Sequence, residues 1–298
     1  MTDFLQLTFA GIALGAVYAL VALGFSIIYK ATGVINFAQG GLVLLGAYIA
    51  YNAHETWRLP FVVSVLIAIV AGAGFGVLVE RLILRRMVGQ PVFAVIMVTI
   101  GLLYIMDQLV AAIWGSGAHD MGDPWGLSTI DLGSVRVLVR DVWTIGLTAI
   151  VLAGFFLFFR YARLGVAMRA AALDQEAAAA QGISARRVFG TSWAIAGAVA
   201  AVAGVMLASG PAAVQPSTEF VALLAFPAII LGGMDSPLGA VVGGLIIGVT
   251  QDLASGYAPK YATFLGGGFG SVAPYVVMVL ILLFRPYGLF GTKEVRRI

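Results

Sequence analysis

Two carboxylates in this sequence stand inside long apolar stretches, Asp107 and Asp252, each with a glutamine beside it, Gln108 and Gln251. Burying such a group in a bilayer costs at least about 2.5–3.5 kcal/mol, so it reads as an ion or proton site unless it snorkels to the interface. Two further places combine glycine with small polar groups beside a short apolar run. In 36–41, Asn36 and Gln39 offer amide hydrogen bonds ahead of Gly40 and Gly41. In 232–239, Asp235 or Ser236 is suited to cap a helix with Pro237 at its first position, just after Gly233. This is the pattern of discontinuous membrane helices that line a substrate pathway. Helix N-termini facing a cavity favour a substrate carboxylate, which matters where no Lys or Arg lies well inside a span. Two tight turns that touch no substrate would carry the same residues.

Other chemistry is missing. The chain has no cysteine, hence no disulfide or thiolate chemistry. His54 and His119 sit far apart in polar connecting segments and read as surface-loop residues, so no metal site is expected. A phosphate-binding P-loop needs a glycine followed directly by lysine. The lysines here follow Tyr29, Pro259 and Thr292, so GAGFG (72–76) and GGGFG (266–270) are not phosphate cradles. Gly72 and Gly76 instead have the spacing for close helix packing. With no clustered histidines and no paired intramembrane acids, an enzyme is not expected either.

One polar run interrupts the apolar sequence. Residues 165–183 read GVAMRAAALDQEAAAAQGI, too charged to cross a bilayer and rich in strong helix formers. Asp174 is placed to cap a helix N-terminus, Glu176 to sit in its first turn and Gly182 to close its end. This predicts one short helix, or two, outside the membrane. The face of Ala177, Ala178 and Ala180 has no bulk and suits docking into a groove on another protein.

The elements that must hold these groups are membrane helices. Of 298 residues 61% are hydrophobic and 10% charged, with mean hydropathy +1.02, against about 25% charged in a soluble domain. The N-terminal stretch carries Asp3 and no base before Lys30, the wrong charge for a cleaved signal peptide, so it reads as a retained span. Stretches of about 20 apolar residues occur at 4–29, 60–79, 91–114, 142–159 and 189–208, and shorter ones at 40–51, 220–234, 238–257 and 272–284. The expectation is an all-α, single-domain polytopic membrane protein over 1–298, with about 8–10 transmembrane helices including short or broken ones. If 160–188 is cytoplasmic and the segments alternate, 13 of the 17 Lys and Arg lie inside and four (Arg58, Arg136, Arg140, Lys260) outside. That bias puts the N-terminus outside and the C-terminus in the cytoplasm. The longest outer loop, about 115–141, carries Asp120, Asp123, Asp131 and Asp141 and alternates weakly enough to form a hairpin or a surface helix.

Several motifs carry a family resemblance. Glu176-Ala177-Ala178 followed by Gly182 is similar to the start of the EAA---G signature of ATP-binding-cassette (ABC) importer permeases, although that signature's later Ile and Leu-Pro are absent. Gly165, Met168 and Arg169 with Asp174 and Gly182-Ile183, together with GVINFAQGGLVLLGAYIAY (33–51), GGMDSPLGAVVGGLIIGV (232–249) and FRPYGLFG (284–291), resemble the permeases of branched-chain amino-acid ABC importers, of the LivH type. The resemblance covers nearly the whole chain. It implies that Gly165, Met168, Arg169, Asp174, Glu176, Ala177, Ala178, Gly182 and Ile183 form a loop coupled to an ATPase. It implies no cofactor on this chain, with ATP and Mg on two partner ATPase subunits, a second homologous permease, and an external substrate-binding protein in a bacterial inner membrane. Urea and short-amide importers have closely similar permeases. A stand-alone secondary transporter would have to rely on Asp107 and Asp252.

Overall fold

In a computed structural model of the chain, residues 2–122, 124–126, 128–133, 135–209, 213–261, 264 and 268–292 are described. Asp123, Lys293, Arg296 and Arg297, counted among the loop charges above, lie outside the described residues, as do Gly266 and Gly267 of the GGGFG run. Helix α1 (Thr2–Thr32) contains no proline and ends at Gly33, whose φ of +71° needs no Cβ penalty. After a break, α2 (Gln39–Tyr51) continues into a π-helical turn, Asn52–Thr56. Helices α3 (Phe61–Leu82) and α4 (Val92–Trp114) each begin directly after a proline, Pro60 and Pro91, where a missing N–H costs the helix nothing. A 3-10 turn, Leu84–Met87, separates them.

The segment at 115–141, expected as an outer loop, forms the hairpin alternative, with β1 (Thr129–Leu132) antiparallel to β2 (Val135–Leu138) and Thr129 opposite Leu138. There follow α5 (Val139–Tyr161), α6 (Arg163–Leu173), α7 (Gln175–Ala180) and α8 (Ala185–Ala208). A 3-10 turn (Pro216–Phe220) leads through α9 (Val221–Leu224) and α10 (Phe226–Gly232) to α11 (Pro237–Tyr261) and α12 (Phe269–Phe284). Six helices, α1, α3, α4, α5, α8 and α11, are long and apolar enough to cross a membrane, and the segments Pro216–Gly232 and Phe269–Phe284 are shorter apolar pieces. All nine apolar stretches of the sequence hold helix. The stretch at 238–257 is extended by its polar C-terminal flank into the 25-residue α11.

The chain divides into two compact units, one of Met1–Ser26, Trp125–Leu147 and Val221–Ile298, the other of Ile27–Pro124 and Thr148–Phe220. In lipid, apolar burial gives helices no reason to associate, so small residues that permit close backbone approach decide the contacts. In the first unit, Gly11 and Gly15 of α1 lie against Gly244, Leu245, Gly248 and Val249 of α11 so closely that any Cβ would meet backbone. In the second unit, α8 is the central helix. Gly72 and Gly76 of α3 press on Gly197 and Trp193 along one side of it, while Gly46, Val43 and Ala47 of α2 meet Ala201 and Gly204 along the other. The outward faces are apolar: Val62, Leu66 and Val70 follow one another at helical spacing on α3, Val70 with 72% of its surface exposed. Such a stripe suits hydrocarbon and not water.

Candidate functional site

Helix α7 is only six residues long, too short to stand by propensity alone. Both its ends are tied. The Ala177 N–H donates to Asp174 Oδ1 at 2.9 Å, the N-cap bond expected from the sequence. At the other end Gly182, with φ +81°, donates to the Ala179 carbonyl at 2.9 Å and Ile183 donates to Ala178 at 3.0 Å. That bond pair is the Schellman closure, with glycine in the left-handed position it favours. Gln175 Nε2 donates to the Ala31 carbonyl at 3.1 Å, fastening α7 to the end of α1.

The loop's residues divide by the face they present. Gly165 and Met168 are buried on α6, and Gly165 lies so close to Phe158 and Phe159 that a side chain would not fit. Arg169 donates to the Arg160 carbonyl at 3.2 Å and stands over the Phe159 ring at 5.7 Å, holding α6 to the end of α5. Glu176 and Ala177 are exposed on α7, and Leu173 at the end of α6 is 90% exposed. Ala178, expected on the open alanine face, is instead buried, because the Schellman turn folds Ile183 back toward it. Ala179 joins Ala177 and Ala180 on the exposed side.

The first break is knitted by its amides. Asn36 Oδ1 accepts from the Ala38 N–H at 3.0 Å, the Phe37 N–H donates to Thr99 Oγ1 at 3.2 Å, and Gln39 Nε2 donates to the Ala196 carbonyl at 3.4 Å. Asn36 Nδ2 and Gln39 Oε1 are left buried without partners. Gly40 is buried beside them, and Gly41 lies against Met106 of α4.

At the second break Ser236 Oγ accepts from the Gly239 N–H at 3.0 Å and caps α11, with Pro237 as its first residue. Asp235 turns elsewhere and accepts from the Thr292 N–H and hydroxyl. Gly233, with φ +104°, lies against Phe290 and Gly291. Leu289 and Phe290 donate to the carbonyls of Leu231 and Gly232 at 2.8 and 3.0 Å. The motif at 232–239 and the ending at 284–291, separate in sequence, are one packed feature.

The two intramembrane acids have different neighbours. Asp107 Oδ2 accepts from Gln108 Nε2 at 3.0 Å, while its Oδ1 is buried without a partner. Beside Asp252, Gln251 Oε1 accepts from the Tyr18 hydroxyl at 2.8 Å. Three buried groups escaped sequence reading. Glu219 sits in the 3-10 turn packed on α2 and α4 with Oε2 unpartnered, and the Tyr48 hydroxyl of α2 is likewise unpartnered. His119 is not a free loop residue: its ring lies 5.6 Å from Tyr48 and 5.0 Å from Tyr51, and its backbone pairs with Val214. Among the described residues no group of three or more His, Cys, Asp or Glu could hold a metal.

Membrane-length helices, two interrupted helices and a capped polar loop outside the apolar spans define a multi-pass membrane protein. The profile of the family described as "Branched-chain amino acid transport system / permease component" matches residues 7–284, and the chain belongs to that family. It is 31% identical to the high-affinity branched-chain amino acid transport system permease protein LivH of Escherichia coli (strain K12), over 99% of this chain and 98% of that one. It is 28% identical to the high-affinity permease protein BraD of Pseudomonas aeruginosa, with the same coverage of both chains. A probable LivH of Methanocaldococcus jannaschii is 27% identical over 94% of this chain and 90% of the relative. With its apolar helices and these relatives, the chain is a multi-pass inner-membrane transport permease.

Proposed function

We propose that this chain is the membrane-spanning permease subunit of an ABC importer for branched-chain amino acids. The observation that carries the reading is similarity along essentially the whole chain, 98% of the Escherichia coli relative included, to permeases named for that transport. In this reading the N-terminus lies outside and the C-terminus in the cytoplasm, on the side that Lys30, Arg81, Arg85, Arg86, Arg160 and Arg163 occupy. Two ATP-binding partner subunits bind and hydrolyse ATP with Mg, and grip the exposed face of α7 with Leu173. A second homologous permease completes the membrane portion, and an external binding protein delivers the substrate. This chain supplies no nucleotide chemistry. It converts movement of a short, doubly capped helix into rearrangement of helices that already cross at glycine contacts.

A pull-down of the chain from its native membranes in mild detergent, read by mass spectrometry, tests the assembly. Recovery of two P-loop ATPases and a second permease is the expected result. Recovery of this chain alone, in a preparation still active in uptake, overturns it and returns attention to Asp107 and Asp252 as an ion-coupled site.

A further inference from the structure

The second unit contains a cavity of about 190 Å³ whose lining includes Thr32, Asn36, Glu80, Val95, Gln175 and Trp193. It lies among the segment ends that carry Lys30, Arg81 and Arg85, the side read above as cytoplasmic. Size limits its occupant first. An apolar cavity of about 150 Å³ takes benzene, so this one suits a molecule somewhat larger.

Polar groups limit it further. Asn36 is 1% exposed, its Oδ1 is committed to Ala38, and its Nδ2 has no acceptor. A buried donor left in that state is expensive until an acceptor reaches it. Glu80 is equally buried and is the only charged side chain among the described lining residues. Arg85 holds its carboxylate at 2.7 and 3.1 Å, and two bonds leave further lone pairs open. Ile28, Ile35, Phe189, Val95 and Trp193 make the walls apolar. One buried amide donor without a partner, one carboxylate and apolar walls complement a small apolar α-amino acid in its zwitterionic form. The carboxylate of such a molecule meets Asn36, its ammonium meets Glu80, and its side chain meets the walls. An anionic lipid headgroup finds no Lys or Arg to pair with among the described lining residues.

The geometry points to this cavity as a cytoplasmic site for the transported amino acid itself, through which accumulated product restrains the coupling helix; this rests on the importer reading above. The link is Gln175, which lines the cavity from α7 while donating to the Ala31 carbonyl. An occupant that bridges Asn36, Glu80 and Gln175 fixes α7 against the end of α1. It thereby resists the movement that coupling needs.

The test uses the complete importer in liposomes, with ATP and graded L-leucine inside and labelled L-leucine with binding protein outside. Initial uptake is read as the ratio with and without internal leucine, which cancels any loss of basal rate. The expected result is a saturable fall in that ratio, with the leucine needed raised about tenfold or more by Asn36→Ala and the fall abolished by Val95→Phe, which fills the cavity without touching its polar groups. Internal leucinamide, which lacks the carboxylate, and isocaproate, which lacks the ammonium, should not inhibit. A ratio that stays at one, or inhibition equal in wild type and both variants, or inhibition by isocaproate as strong as by leucine, overturns the proposal. Absence of any leucine uptake by the wild type is a separate outcome, and it counts against the importer reading itself.

Discussion

Asp174 and Gly182 matter because the helix between them cannot hold itself. Replacing Asp174 with Ala removes the acceptor for the Ala177 N–H, which typically costs about 1 kcal/mol of helix stability. The prediction is a chain that inserts normally but consumes more ATP for each amino acid carried, read as the ratio of phosphate released to substrate taken up. Gly182 makes a sharper case. Nothing lies within 4 Å of where its Cβ would be, so space is not what demands glycine there, but its φ of +81° is. A β-branched residue in that conformation is strained by roughly 1–2 kcal/mol, whereas asparagine tolerates it. Gly182→Val should therefore uncouple ATP hydrolysis from uptake while Gly182→Asn stays near wild type; equal behaviour of the two would contradict the role of the turn. These caps were legible in the sequence because they are local. The inward turn of Ala178 was not, since it depends on where Ile183 folds back.

At the scale of elements, glycines at helix crossings set which helices meet. Gly76 lies on the backbone of Trp193, while Gly74, two residues away on α3, is exposed with open space beyond it. Gly76→Leu must push α3 off α8, whereas Gly74→Leu adds an apolar side chain to an outward face. The first should abolish a monodisperse peak in size-exclusion chromatography and the second should leave it unchanged. The C-terminal ending gives a further test. Removing residues 285–298 exposes the carbonyls of Leu231 and Gly232 and takes away the partner of Gly233. Each lost backbone bond is worth about 0.5–1.5 kcal/mol, so the truncated chain should unfold at a visibly lower temperature, and an unchanged melting curve would deny the tail that role. Hydropathy located all nine apolar segments and the glycine spacing at 72 and 76 announced a close crossing. Pairing of 232–239 with 284–291, burial of Glu219 and the edge-to-face contact of His119 with Tyr48 join residues far apart in the chain. No periodicity within either partner encodes such contacts.

For the molecule as a whole, the central claim is that this chain passes branched-chain amino acids through a membrane at the expense of ATP hydrolysed by its partners. Six membrane-length helices and a family match over residues 7–284 make it a permease, and in the proposed reading the capped loop is its handle for a motor outside the membrane. The most direct test is uptake by the purified complex in liposomes, with the external binding protein present and labelled leucine, isoleucine, valine, urea and a short amide offered in turn. The account predicts concentrative uptake of the three amino acids that stops when lumenal ATP or Mg is withdrawn. Uptake that persists without ATP and follows an imposed proton or sodium gradient, or ATP-driven uptake of urea or the amide alone, would contradict it.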